Sequence, residues 1–70
     1  MLEKVRTRYG LRLPSKVLMA DYDVKEGGLY VRFREAERTE GEPTDDGLVI
    51  AHYDQQNRLG AVEIISLSGL

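Results

Sequence analysis

The sequence predicts a small, mainly β domain: an antiparallel β-meander of two hairpins in series, with an N-terminal extension, packed as a dimer. Three observations lead to this fold class. After position 20, apolar residues recur at every second position. Gly, Asn and Asp residues mark the turns between these runs, and no long stretch there keeps a helical period. Because 70 residues allow one small domain, we predict a basic extension over residues 1–15 and a single β-meander domain over residues 16–70.

The N-terminal extension fits two patterns. From position 4 onward, apolar or neutral residues alternate with mostly basic ones, as in a strand with a basic face. Leu2, Val5 and Tyr9 would also lie on one side of a short helix. Gly10 and Pro14 limit any helix in this region. We therefore favour the strand and keep the short helix as the alternative.

The first predicted hairpin joins a strand over residues 16–22 to a strand over residues 29–34. In the second strand, Leu29, Val31 and Phe33 fall on one face and polar residues on the other, so one face is expected to contact water. Gly27 and Gly28 end the loop between the strands and can supply the positive φ that a short hairpin needs.

The second predicted hairpin joins residues 48–53 to residues 59–65. The turn residues Asp45-Asp46-Gly47 precede it, and Asp54 to Asn57 form its loop. Gly60 inside the last strand predicts a bulge. The acidic stretch over residues 35–44, which contains Pro43, either extends the second strand or forms a short edge strand, since acids and proline protect sheet edges.

Apolar residues on both faces of the last two strands predict a homodimer or a larger symmetric assembly. We expect Leu48 and Ile50 opposite Val49 and Tyr53, and Leu59 and Ile65 opposite Val62 and Ile64. A sheet of this size has little left to cover a second apolar face. Pairing two copies face to face or edge to edge would cover it.

Charge is distributed unevenly along the chain, although the net charge is only −2. Residues 1–20 carry five basic and one acidic side chain, whereas residues 21–70 carry five basic and eleven acidic ones. Such a basic segment can contact nucleic-acid phosphates, an acidic partner, or the chain's own acidic body. The chain has no cysteine, which excludes disulfides and thiolate metal sites. With no long apolar run either, we expect a cytoplasmic protein and no membrane partner.

The histidine, serine and acidic side chains in the sequence predict that the protein is not an enzyme. His52 is the only histidine and lies within a predicted strand, where packing is its commoner role. The serines have no second histidine and no plausible lysine base beside them in sequence, and Asp45 with Asp46 is an ordinary acidic turn. We therefore expect no catalytic residues, no cofactor-binding residues and no metal ligands.

Three blocks of residues resemble a small prokaryotic family, domain of unknown function 2283. They are Tyr22-Asp23 followed after five residues by Leu29-Tyr30-Val31-Arg32-Phe33; Asp46-Gly47-Leu48-Val49-Ile50; and Asp54 followed after two residues by Asn57-Arg58-Leu59-Gly60-Ala61-Val62-Glu63-Ile64-Ile65. The resemblance covers residues 17–66. Departures include Asn57 for the usual Gly and Gly27 where an Asp is common.

The resemblance implies a non-enzymatic interaction module, and an antitoxin-like partner of a neighbouring small toxin. Within the motif, Asp23 and Asp54 are expected to cap turns through their side chains. Val62 and Ile64 suit a core face, with Glu63 pointing the opposite way.

A second resemblance, in the N-terminal half, predicts an alternative function. Residues 10–17 and 24–29 resemble the swapped-hairpin DNA-binding domains of transition-state regulators and some antitoxins. The proline comes one residue early, however, and the second segment one residue late. In this alternative the chain is a transcriptional regulator whose phosphate contacts are Arg6, Arg8 and Arg12. Its signature would be promoter binding that weakens steeply with salt.

Overall fold

The N-terminal extension forms a helix, so the strand favoured from its sequence is wrong. The computed structural model describes residues 2–70, and Met1 lies outside the described residues. Helix α1 spans Leu2–Tyr9 and buries Val5 completely. Gly10 follows with φ 65°, the left-handed conformation that commonly ends a helix. Gly10 therefore terminates the helix instead of preventing it, and Pro14 lies beyond it in an extended segment that buries Leu13.

Five antiparallel strands form one sheet, which confirms the mainly β, antiparallel prediction. They are β1 (Met19–Asp23), β2 (Gly28–Arg32), β3 (Thr39–Pro43), β4 (Val49–Asp54) and β5 (Leu59–Ile64). A single 3₁₀ turn over Leu67–Gly69 closes the described chain. Both predicted hairpins are present, and the acidic stretch supplies the edge strand β3.

The strand order β1-β2-β5-β4-β3 is not that of a meander, and this corrects the predicted topology. In a meander, β3 would lie between β2 and β4 and would hydrogen-bond on both sides. Pro43 has no N–H to donate, and all five residues of β3 are exposed, so this strand suits only an edge. The central place goes to β5, in which every residue except Glu63 is buried.

The hydrophobic core lies on one face of the sheet, under α1. The register places Leu29, Ile64 and Val49 in one row across β2, β5 and β4, and Val31, Val62 and Ala51 in the next. Other buried side chains complete the core from α1 and the flanking segments: Val5, Leu13, Phe33 and Leu59.

A bulge in β5 changes the face that Leu59 occupies. Tyr53 pairs with Leu59 while His52 pairs with Ala61, so Gly60 is the extra residue, as predicted. The resulting shift brings Leu59 into the same core as Val62 and Ile64. The expectation that Leu59 opposes them on a second apolar face is therefore wrong.

The opposite face of the sheet, which we call the open face, is mixed in character. One row across the sheet consists of Asp21, Tyr30, Glu63, Ile50 and Pro43. The adjacent row contains Arg32 and His52. Polar side chains dominate the middle of this face, so little of it requires burial.

In the described part of the chain, no helix has both the length and the apolar character needed to cross a bilayer.

Candidate interaction surface

Strand β1 is an unprotected sheet edge with apolar side chains around it. It pairs with β2 alone, and all five of its residues are exposed. Among residues 2–70, every large apolar side chain that remains exposed, apart from Ile65, lies in this strand or next to it: Val17, Leu18, Met19, Tyr22 and Val24. An exposed edge with apolar side chains is a template for pairing with another strand.

The two edges of the sheet differ in chemistry. Strand β3, at the other edge, has the sequence Thr-Glu-Gly-Glu-Pro, which combines two carboxylates with a proline. Strand β1 also carries two carboxylates, Asp21 and Asp23, but it contains no proline and it exposes Met19 and Tyr22. Pro43 cannot donate a backbone hydrogen bond, so β1 is the more favourable edge for another chain.

Carboxylates lie at the C-terminal end of β1. Asp21 faces the open side, since it pairs with Tyr30, and Asp23 follows two residues later. These two residues help to line a groove of about 350 Å³ together with Glu26, Glu63 and the exposed side chain of Ile65. Asp21 and Glu26 take part in none of the ion pairs formed within residues 2–70. This end of the edge is thus acidic and available to a cation.

The N-terminal end of the same edge carries positive charge. Met19 pairs with Arg32 on β2, and the exposed Lys16 precedes the strand. The Arg32 guanidinium lies 5.8 Å from the centre of the Tyr30 ring and 3.6 Å from the Glu35 carboxylate. The β1 edge therefore runs from a basic end to an acidic end.

The open face places His52 beside a carboxylate and an aromatic ring. The His52 Nε2 atom is 3.5 Å from Glu63 Oε1, and the Tyr30 ring meets the imidazole edge-on at 6.1 Å between centroids. Nε2 is buried and makes no hydrogen bond within residues 2–70. In that same range, no three His, Asp or Glu side chains converge as metal ligands. The His52 side chain thus packs between Glu63 and Tyr30 on the open face.

The basic extension contacts the chain's own acidic body. The Arg8 guanidinium lies 3.2 Å from the Asp46 carboxylate, and the Tyr9 hydroxyl donates a 2.8 Å hydrogen bond to it. Arg6 pairs with Glu3 on the same helix. Arg12 is exposed in the segment after α1. Two of the three arginines proposed for phosphate binding thus have carboxylate partners, and the use of all three for nucleic acid stays a prediction.

The acidic motif residues organise the loops. Asp23 accepts hydrogen bonds from the backbone N–H groups of Lys25 and Glu26, at 3.0 and 3.2 Å. Asp46 accepts from the Thr44 hydroxyl at 2.8 Å and from the Leu48 N–H at 3.0 Å. These carboxylates set the shapes of the β1–β2 and β3–β4 connections.

Asp54 is the one buried charged residue of the described chain, and it shapes the β4–β5 turn. Its carboxylate accepts hydrogen bonds from the backbone N–H groups of Gln56 and Arg58, each at 2.9 Å, and from the Arg58 Nε–H at 3.0 Å. Asn57 and Gly47 adopt φ values of 63° and 71° in their turns, conformations for which these residue types are suited.

The remaining motif residues belong to the sheet itself. Leu29, Val62 and Ile64 face the core, while Tyr30 and Glu63 are on the open face. Tyr22 is exposed on β1 and pairs with Leu29. Tyr22 and Asp23 are therefore the motif residues that lie on the β1 edge itself, and Glu63 lines the groove beside it.

Sequence reasoning missed the β1 edge as a surface. The signal was present in Val17-Leu18-Met19, three consecutive apolar residues at a strand that otherwise alternates. The spacing identified the strand but not which of its sides would be paired, since that depends on the order of strands in the sheet.

Acid stability should depend on Asp54 and Asp46. The backbone N–H of Arg58 lowers the pKa of Asp54, and the backbone N–H of Leu48 lowers that of Asp46. A carboxyl with a lowered folded-state pKa adds stability above its unfolded pKa, and loses that contribution as pH falls through the folded value. We expect the free energy of unfolding to fall steadily below about pH 4.

Denaturant titrations at several pH values would measure this dependence. Asp54→Asn should be less stable than the parent at neutral pH and should lose less stability on acidification. Asp45→Asn is the matched control, because Asp45 makes no side-chain hydrogen bond within residues 2–70. Identical acid profiles for the parent and Asp54→Asn would contradict the assignment.

Comparison with protein-family models, curated proteins and solved structures gave no match.

Proposed function

We propose that this chain is a non-enzymatic interaction module that binds another protein by strand addition at β1, as the antitoxin-like partner of a small toxin. The observation that supports the proposal is the difference between the two edges of the sheet. Strand β3 ends in Pro43 and has no large aliphatic or aromatic side chain, whereas β1 has no proline and exposes Met19 and Tyr22. A five-residue edge next to several exposed apolar side chains suits an extended segment of a partner.

Strand addition would use the backbone and the side chains of β1 for different purposes. Backbone hydrogen bonds supply affinity for any extended segment, and alternate side chains select its sequence. Tyr22, across from Leu29, offers an apolar contact on the α1 side of the sheet. Asp21, across from Tyr30, offers a carboxylate on the open side. A partner strand with alternating apolar and basic residues would complement both.

The proposal includes no catalysis because of the setting of the single histidine. His52 is in the middle of β4, its imidazole is mostly buried, and its near ionisable neighbour is Glu63 at 3.5 Å. A histidine packed against a carboxylate and the Tyr30 ring in this way suits a structural role in the sheet.

Lysine substitution on β1 should abolish partner binding. Leu18→Lys combined with Tyr22→Lys places charges where the partner strand would pack, and lysine is the residue that natural edges use against pairing. Both side chains are about half exposed, at 46% and 52%, so the free energy of unfolding should change by about 0.5 kcal/mol or less per site. The measurement is co-purification with the co-expressed product of the adjacent gene.

Thr39→Lys on the opposite edge is the control, since it adds the same charge to an exposed edge strand. It should co-purify with the partner as the parent does. Failure of the parent chain to co-purify would count against the proposal, and so would equal loss of binding in the β1 and β3 variants.

A further inference from the structure

We propose that, in the absence of another partner, a second copy of this chain occupies the β1 edge in antiparallel pairing, with the two-fold axis at Ala20. The inference rests on the proposed function, because it names an occupant for the same edge. It follows from three features: the exposure of β1, the symmetry that edge pairing imposes, and the charge gradient along the strand.

Symmetry limits the possible registers. When two identical edges pair in antiparallel fashion about a two-fold axis perpendicular to the sheet, each copy presents the same face. One residue then lies opposite its own copy at the axis. Within β1 the candidates are Met19, Ala20, Asp21 and Tyr22, since an axis at Asp23 would place that carboxylate opposite its own copy.

Charge excludes two of these registers. An axis at Asp21 places the Asp21 carboxylate opposite its own copy. An axis at Tyr22 places the Asp21 carboxylate opposite Asp23 of the second copy. Like charges directly opposite each other destabilise a strand pair. Asp21 has no cation within the described residues to neutralise it.

Apolar pairing favours Ala20 over Met19 as the axis residue. Leu18 directly precedes β1, and its backbone N–H donates a 2.8 Å hydrogen bond to the Arg32 carbonyl. With the axis at Ala20, continuing the strand pairing by this one residue places Leu18 opposite Tyr22 of the second copy, and the reverse pair forms on the other side of the axis. Aliphatic–aromatic pairs across strands are favourable. With the axis at Met19, Tyr22 would instead lie opposite Lys16, and Leu18 opposite Ala20. The Ala20 register covers the two side chains that are 46% and 52% exposed.

The same register matches the charges at the two ends of the edge. Asp21 of the second copy lies opposite Met19, whose neighbour on β2 is Arg32. Asp21 and Arg32 both lie on the open face, so this carboxylate of each copy meets a guanidinium of the other. The edge is self-complementary, which is what an isologous contact requires.

Single-cysteine cross-linking can test the register because the chain contains no cysteine. Residues opposite each other in an antiparallel pair have Cα atoms about 4.5–5.5 Å apart, within the range that a disulfide spans. Ala20→Cys should therefore form a disulfide dimer under mild oxidation, and the mass measured by sedimentation of the parent at tens of micromolar should be twice that of one chain.

Val24→Cys is the matched control. Val24 is the most exposed large apolar residue within residues 2–70, at 83%. Random collisions would therefore form disulfides through a cysteine at position 24 at least as readily as through one at position 20. In the Ala20 register the two copies of Val24 are eight residues apart along the seam, about 27 Å, and should not cross-link.

Several outcomes would overturn the inference. A monomeric mass without cross-linking of Ala20→Cys refutes the second copy, and efficient cross-linking of Val24→Cys does so as well. Cross-linking of Met19→Cys or Tyr22→Cys in place of Ala20→Cys refutes the register. If the parent is monomeric but the β1 lysine variant still loses the co-expressed partner, the second copy is wrong and the proposed function stands.

Discussion

Val49→Asp is expected to prevent folding. Val49 is completely buried, and it lies in a core row next to Ile64. A carboxylate at this position has no cation or hydrogen-bond donor designed for it, and an uncompensated buried charge costs about 3–5 kcal/mol. A core of this size supplies only about 3–5 kcal/mol of net stability. The substitution should therefore remove the whole free energy of unfolding.

Ile65→Asp is the control for this substitution. Ile65 is 41% exposed and follows the end of β5, so its aspartate stays in water and the chain should fold. Far-ultraviolet circular dichroism and heteronuclear NMR spectra of both variants would show the contrast. A folded Val49→Asp chain would mean that the core does not lie where the register places it.

Ile64→Ala should lower the free energy of unfolding by about 2–5 kcal/mol, the range for truncating a large buried aliphatic side chain. Ile64 is completely buried at the centre of the row that joins β2, β5 and β4. Because strands pair on both sides of β5, the backbone around the cavity has little freedom to collapse into it. The effect should therefore be near the upper part of the range.

Urea denaturation would measure this change, with Ile50→Ala as the comparison. Ile50 is an aliphatic residue of similar size, but it lies half-buried on the open face beside Glu63. Its truncation should cost less than half as much. Similar costs at the two positions would indicate that the open face is covered by something other than solvent.

The local features of the fold could be predicted from the sequence. Alternation identified β2, turn residues on either side of an apolar run identified β4, and Gly60 identified the bulge. Pro43 with its acidic neighbours indicated an edge strand as one of two alternatives. Each of these depends on residues within one turn or strand of one another. The physical cause of each feature therefore lies in residues that are close together in the sequence.

Features that depend on distant residues could not be predicted in the same way. The order of strands is decided by which strand buries best between two others, and β5 meets β2 although about 26 residues separate the two strands. Helix α1 is stabilised by burial of Val5 and by the contacts of Arg8 and Tyr9 with Asp46. Nothing in the first fifteen residues indicates those partners.

The surface that favours assembly is consequently one edge of the sheet and not one of its faces. The sequence predicted a second apolar face that included Leu59, and the bulge brings that side chain into the core. The exposed apolar side chains lie instead around β1. The candidate surface thus depends on a strand order that spacing alone does not reveal.

The protected strand β3 also has a consequence for the size that any assembly can reach. A sheet with two open edges can add copies without end, and this is the route by which extended strands form fibres. Pro43 has no N–H to donate at the end of β3, and no large aliphatic or aromatic side chain lies on that strand. In the proposed two-chain pairing, β1 is occupied in both copies and β3 is the free edge at each end of the joint sheet. Proline at that edge would oppose the addition of further strands, and with it the growth of filaments.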